Sequence, residues 1–243
     1  VSVGEPVVTL ASESARKALE QAGKRAEEID LILVATCSPE QYLPCCACQV
    51  QADIGAVNAL AFDVNAACSG FLFALNTADA YLRTGLAENA LIIGSEVLSK
   101  LVDWTDRGSC ILFGDGAGAV VVEQCGAESR AVEYGNTFSE TEKGMQNTTA
   151  EEKRIPAGIL GRALHSDGTG GGVLQCGARE LTTPYAGTSA AKADQNQPTD
   201  GREHYIQMDG QEVYRFATRR VPQCIEEALS DAGLDVPDID MFV

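Results

Sequence analysis

A segment near the start of this chain recurs near its end at a fixed offset, and that limits the fold more than any other feature. Ala18-Leu19, Ala22-Gly23 and Ile29-Asp30 return as Ala228-Leu229, Ala232-Gly233 and Ile239-Asp240, each displaced by 210 positions without a gap. After each aspartate the chain enters an apolar run, Leu31-Ile32-Leu33 in the first copy and Met241-Phe242-Val243 in the second. Such self-similarity marks a protein built from two like halves. The second copy breaks off inside its first strand, so the expectation is one half plus the opening of the other. The beginning, Val1-Ser2-Val3-Gly4, carries no Met and no basic leader, and reads as a chain entered mid-protein.

Helix and strand patterns alternate through the first hundred residues. Residues 10–22 put Ala11, Ala15, Ala18, Leu19 and Ala22 on one helical face, with Gly23 as the stop. Residues 30–36 (DLILVAT) have the unbroken apolar character of a strand buried on both faces. A helix over 46–54 ends at Gly55, and residues 59–64 form a second strand. Residues 68–84 carry Phe71, Leu72, Leu75, Ala78 and Leu82 at helical spacing up to Gly85, and strands follow at 90–94 and 117–123. The expected class is α/β, a layered structure around a largely parallel sheet. Polar stretches at 126–158 and 182–203 read as loops, with a strand at 159–165 between them. Helix patterns at 210–220 and 222–232 are divided by Pro222, as a first-turn proline. The expected divisions are 1–125, 126–203 and 204–243.

Composition excludes several classes. A net charge of −17 disfavours nucleic acid, whose phosphates call for Lys and Arg. No run reaches the roughly 18–20 apolar residues of a membrane span. Nine cysteines are odd in number and come with no secretory signal, so they read as reduced thiols. Cys37, Cys45, Cys46 and Cys48 lack zinc-site spacing and a neighbouring His, and read as small apolar filler; no metal site is expected. The glycine runs at 114–118 and 168–172 lack a phosphate-loop context and read as close backbone packing and a loop.

The candidate nucleophile is Cys68. It leaves the strand ending near Val64 and enters the following helix, between Ala66, Ala67, Ser69 and Gly70. A thiol there faces unpaired N–H groups and the positive end of the helix dipole. Such surroundings hold cysteine pKa values at roughly 3.5–7.5 rather than about 8.5. Small neighbours leave a substrate room to reach the sulfur, in the manner of a nucleophile elbow.

Four ordered blocks resemble one family. They are residues 65–71 (NAACSGF), 103–108 (DWTDRG) followed by 111–119 (ILFGDGAGA), 164–168 (LHSDG) and 208–216 (MDGQEVYRF). Together they are similar to β-ketoacyl-[acyl-carrier-protein] synthase III. The resemblance implies a thiolase-like α/β/α/β/α fold of two duplicated halves, the second incomplete here. It implies an acyltransferase that condenses acetyl-CoA with malonyl-[acyl-carrier protein], releasing CO2 and initiating fatty acid biosynthesis through an acyl-cysteine. No cofactor is implied, since the CoA thioester is itself substrate.

By the same resemblance, Arg107 would stack on the CoA adenine and Gln211 would touch its pantetheine arm. Gly108, Phe113 and Met208 would belong to the substrate site, and Leu43 would bound the acyl pocket. Arg215 and Arg219 would meet the acidic carrier protein. His165 would be structural. The His and Asn that complete the condensation would lie beyond Val243, so the 243 residues alone would position a cysteine without finishing the reaction. A homodimer in the bacterial cytoplasm or a plastid stroma is implied, with no nucleic acid or membrane partner. Two alternatives stand beside this: a related condensing enzyme for polyketides or long acyl chains, and an inactive scaffold subunit.

Overall fold

The computed structural model describes residues 4–125, 158–177 and 204–243. The expected loops at 126–158 and 182–203 lie almost wholly outside them. The chain divides into two compact units, Val1–Gln124 with Ser166–Thr218, and Cys125–His165 with Arg219–Val243.

In the first unit the chain begins with α1 (Val7–Ala22), then β1 (Leu31–Ala35), α2 (Cys46–Ile54) and β2 (Leu60–Val64). Helix α3 (Gly70–Thr84), β3 (Asn89–Val97) and β4 (Asp115–Glu123) follow. The sheet order is β2-β1-β3-β4. β1 is parallel to both neighbours, pairing Leu33 with Phe62 and with Ile92, while β4 runs antiparallel to β3. A short hairpin joins β5 (Leu174–Gln175) to β6 (Gln207–Met208), after which α4 (Gly210–Ala232) begins.

The continuous apolar run of β1 follows from its place at the centre, covered on both faces. Ile32 and Val34 point into one cluster with Leu91 and Ile93, against Val7, Ala11 and Ala15 of α1 and Ala47 and Val50 of α2. Leu31 and Leu33 point the other way with Ile92, against Ala74, Ala78 and Leu82 of α3. All five β1 residues are buried. Alanines on the helices let them approach the sheet closely, so Ile and Leu on the strands fill the space between.

Asp63 ties the sheet to α2. Its carboxylate accepts hydrogen bonds from the Cys46 and Ala47 amides, at 2.8 and 2.7 Å, the first residues of that helix. It thereby satisfies two orphan donors and opposes the helix dipole. Asp63→Ala is expected to destabilise the fold by about 1–2 kcal/mol, read as a lowered urea midpoint at unchanged slope. An unchanged midpoint would mean that the cap contributes nothing.

The 210-residue repeat is legible bond by bond. Gly23 and Gly233 end their helices at φ 63° and 68°. Lys24 donates to Leu19 at 3.0 Å, and Leu234 donates to Leu229 at 2.9 Å. Single 3₁₀ turns follow at Ala26–Glu28 and Val236–Asp238, closed by Ile29→Ala26 and Ile239→Val236 bonds of 3.2 Å each. Glu28 and Asp238 fold back onto the amides of Arg25 and Asp235 in the same way, both at 2.9 Å.

Five expectations change. α4 runs unbroken through Pro222, which sits in its interior rather than opening a second helix. Proline removes one backbone bond, and 23 residues of helix begun by Asp209 outweigh that loss. Residues 159–165 are not a strand, nor are 241–243. A strand requires a laddered neighbour, and none lies beside either segment among the described residues. Residue 161 instead meets α4 in the second unit, where the Arg162 amide donates to Asp231 at 3.0 Å. Glycines 114, 116 and 118 are not closely packed: nothing among the described residues lies within 4 Å of where a Cβ would stand. Residues 168–173 form a 3₁₀ turn capped by Asp167 rather than a plain loop.

Candidate active site

The carboxyl ends of β1, β2 and β3 open together onto one cavity of about 350 Å3 within the first unit. This is the edge at which parallel α/β sheets bind ligands. Ala35 and Cys37 reach it from the end of β1, and Gly94, Ser95, Glu96 and Leu98 from the end of β3. Cys68 and Phe71 come from the β2–α3 junction, Phe113 and Gly116 from the entry to β4, and Leu174, Gln175, Cys176 and Ile206 from the hairpin side.

Cys68 is exposed and unbonded to another cysteine. It lies within a 3₁₀ turn, Ala67–Ser69, with Ser69 as the N-cap of α3. The helix therefore starts two residues later than the spacing suggests, after a 3₁₀ turn whose first residue, Ala67, stands at φ 47°. A non-glycine residue in the left-handed region is uncommon, and such backbone concentrates where a side chain must be held in a particular place. Gly70 makes the turn feasible: a Cβ there would come within 3.2 Å of the Ala35 Cβ. The result is a thiol at the mouth of a helix, facing an apolar cavity.

Glu96 is the polar anchor of the cavity and was not among the residues that the sequence singled out. Its carboxylate accepts from the Cys37 amide at 2.8 Å, from Thr36 Oγ1 at 3.3 Å and from the Ser38 hydroxyl. Ser38 Oγ in turn accepts the Val97 amide at 2.9 Å, so one carboxylate stitches the exit of β1 to that of β3. Burial, and then the Glu96 charge, push the Cys37 thiol up to about 12. Burial also raises Cys176. Cys37 thus departs from its reading as filler, whereas Cys46 is core, its thiol likewise pushed up to about 12 by burial and Asp63. Among the described residues, no three His, Cys, Asp or Glu side chains converge as a metal site.

Of the residues singled out from sequence, Cys68 and Phe113 line the cavity. Arg107 and Gly108 sit on an exposed loop wound by two aspartates. Asp103 accepts the Thr105 amide and hydroxyl at 2.9 and 2.6 Å, and Asp106 accepts the Gly108 amide at 2.9 Å and the Ser109 hydroxyl at 2.6 Å. Among the described residues the Arg107 guanidinium makes no ion pair. Met208 is half-buried in β6, and Gln211 is exposed in the first turn of α4. Leu43 is 85% exposed on the β1–α2 loop. Arg215 pairs with Glu212, and Arg219 is exposed one turn further along α4. His165, in the second unit, pairs with Glu227, whose carboxyl it draws below the usual range. Cys37, Glu96, Cys176 and Ile206 were missed. The available signal was position, since Cys37 and Glu96 each stand at the exit of an apolar strand.

The chain is similar to known proteins in sequence and in fold. Residues 62–139 match the family model for 3-oxoacyl-[acyl-carrier-protein (ACP)] synthase III. The β-ketoacyl-[acyl-carrier-protein] synthase III of Clostridium acetobutylicum is 39% identical over 243 residues, all of this chain and 63% of that protein. The one from a Synechococcus strain is 41% identical over 239 residues, 98% of this chain and 60% of the relative. The chain thus spans somewhat under two thirds of the length of these relatives. The crystal structure of the Aquifex aeolicus synthase III superposes with a TM-score of 0.74 at 32% identity, covering 98% of this chain and 61% of the other. The fold is that of the thiolase-type condensing enzymes. Along its whole length in sequence, and in fold, the chain is similar to the 3-oxoacyl-[acyl-carrier-protein] synthase III enzymes.

Proposed function

We propose that this protein transfers an acyl group from acyl-CoA to Cys68 and condenses it with malonyl-[acyl-carrier protein], initiating fatty acid biosynthesis. The observation that carries this reading is Cys68 itself, exposed at the head of α3 and facing the apolar cavity. A thiolate there attacks the thioester carbonyl and CoA thiolate leaves. One thioester replaces another, so the step is close to thermoneutral and stores the acyl group on the sulfur. Decarboxylation of the malonyl unit then gives a carbanion that attacks the acyl-cysteine and frees the thiol. The developing enolate needs hydrogen-bond donors, a role that the resemblance gives to a His and an Asn.

In this reading Phe113 walls the acyl site, while Arg107 and Gly108 hold the CoA adenine end. Met208 and Gln211 flank its pantetheine arm, and Leu43 limits the acyl pocket. The exposed Arg215 and Arg219 on α4 offer positive charge to an acidic carrier protein, on a chain whose net charge is −17. No cofactor enters beyond the CoA thioester. The half at 1–125 and the start of the second half at 204–243, joined by 126–203, are parts of one homodimeric enzyme. Among the described residues no helix is long and apolar enough to cross a membrane.

The test, made on the full-length protein, is CO2 release from malonyl-[acyl-carrier protein] in the presence of acetyl-CoA. Release that depends on acetyl-CoA supports the reading. Turnover of long-chain acyl-CoA alone would replace it with a long-chain condensing enzyme, and no turnover with any thioester would point to a scaffold.

A further inference from the structure

The cavity holds three thiols, Cys37, Cys68 and Cys176, of which the proposed chemistry uses one. Cys37 and Cys68 follow neighbouring strands whose last residues, Ala35 and Val64, pair in register. The Thr36 amide also donates to the Val64 carbonyl at 3.2 Å, so both chains turn into the cavity from adjoining positions. After burial and Glu96, charge on either Cys68 or Cys176 raises the Cys37 thiol further, so the strand register is what sets Cys68 beside it. Cys176 enters from the hairpin side, its sulfur donating to the His204 carbonyl at 3.4 Å. Glu96 stands against Cys37, accepting its amide at 2.8 Å and, after burial, helping to raise its thiol.

We propose that Cys37 is the resolving thiol for Cys68: when a peroxide oxidises Cys68, Cys37 captures it as an intramolecular disulfide. This rests on the reading of Cys68 as the reactive nucleophile. The Cys68 thiolate attacks hydrogen peroxide, the O–O bond breaks, and Cys68 becomes a sulfenic acid with loss of hydroxide. Cys37 sulfur then attacks the Cys68 sulfur and the S–O bond breaks. Oxygen leaves as water, with the Cys37 proton passing through Glu96. Overall two thiols and one peroxide give one disulfide and two waters, and each sulfur is oxidised by one electron. Cys37 stays a neutral thiol at rest, so it does not compete for acyl groups. Proximity compensates for its weak nucleophilicity once Cys68 is electrophilic. The disulfide blocks acyl transfer and keeps Cys68 from irreversible sulfinic acid.

The test treats the reduced protein with hydrogen peroxide, alkylates the remaining thiols, and digests at acidic residues. Asp53 and Asp63 separate the two cysteines, and Glu40 separates Cys37 from Cys45, Cys46 and Cys48. The expected product joins the Cys37 and Cys68 peptides and is released by dithiothreitol, with full return of acetyl loading. In Cys37→Ser, Cys68 should react with dimedone instead, and loading should be lost without recovery. Oxidised Cys68 beside free Cys37, or a Cys68–Cys176 link, overturns the proposal. If Cys68 takes acetyl from acetyl-CoA yet forms no disulfide, only this inference fails. If it takes neither acetyl nor peroxide oxygen, the reading of Cys68 fails with it.

Discussion

Cys68→Ser is expected to lower acetyl transfer from acetyl-CoA by at least about 10³-fold, read as the rate of CoA release. The hydroxyl fills nearly the same space at the head of α3, so the fold should keep its urea midpoint. What disappears is the sulfur nucleophile, and removing an enzyme's nucleophile costs orders of magnitude in rate. No general base is needed for a thiolate, and among the described residues no hydrogen bond reaches the Cys68 side chain. Serine in that setting has nothing to activate it. A Cys68→Ser protein that still releases CoA at the native rate would move the chemistry to another residue, such as Cys37 or Cys176, which share the cavity.

Glu96→Ala is expected to destabilise the fold by about 2–4 kcal/mol, and to slow acetyl loading in the fraction that remains folded. The carboxylate receives the Cys37 amide, Thr36 Oγ1 and the Ser38 hydroxyl, and these donors lose their partner together. An abandoned buried donor costs more than the bond itself contributes, because it has left water and found nothing in return. Ser38 also supports the Val97 amide, and its carbonyl accepts Lys100 Nζ, so the disturbance reaches the exits of both β1 and β3. Glu96→Gln keeps one acceptor oxygen and should fall between alanine and wild type. Equal midpoints for all three proteins would show that the network carries no stability.

Much of the fold could be read from the sequence because it is written in local patterns. The unbroken LILVA of β1 announced burial on both faces, and Gly23, Gly55 and Gly85 ended their helices in left-handed conformations as their positions suggested. The repeat was legible because the same helix stop and 3₁₀ turn require the same residues twice. Pro222 misled because a local rule ignores how much helix surrounds it. The strand expected at 159–165 misled for a different reason, since an extended segment becomes a strand only when a neighbour supplies the ladder.

The site was half legible. Cys68 could be found because its context is contiguous, a strand end followed by small residues and a helix. Glu96, Cys176 and Ile206 are distant in sequence and meet Cys68 only through the sheet order β2-β1-β3-β4 and the β5–β6 hairpin. Nothing in the spacing of residues 68, 96, 176 and 206 encodes that meeting. Cys37 was obscured by its company, because Cys45, Cys46 and Cys48 follow it and invite a single explanation for all four. In the structure they part: Cys46 enters the core and Cys37 the cavity.

The central claim is that one thiol among nine carries the acyl group, and locating that group tests it most directly. The protein should be incubated with isotopically labelled acetyl-CoA, quenched in acid to preserve thioesters, digested, and its labelled peptide sequenced by mass spectrometry. The account predicts label on Cys68 alone, released by neutral hydroxylamine as a thioester would be. Label on Cys37, Cys176 or any residue outside the cavity, with Cys68 bare, would contradict it.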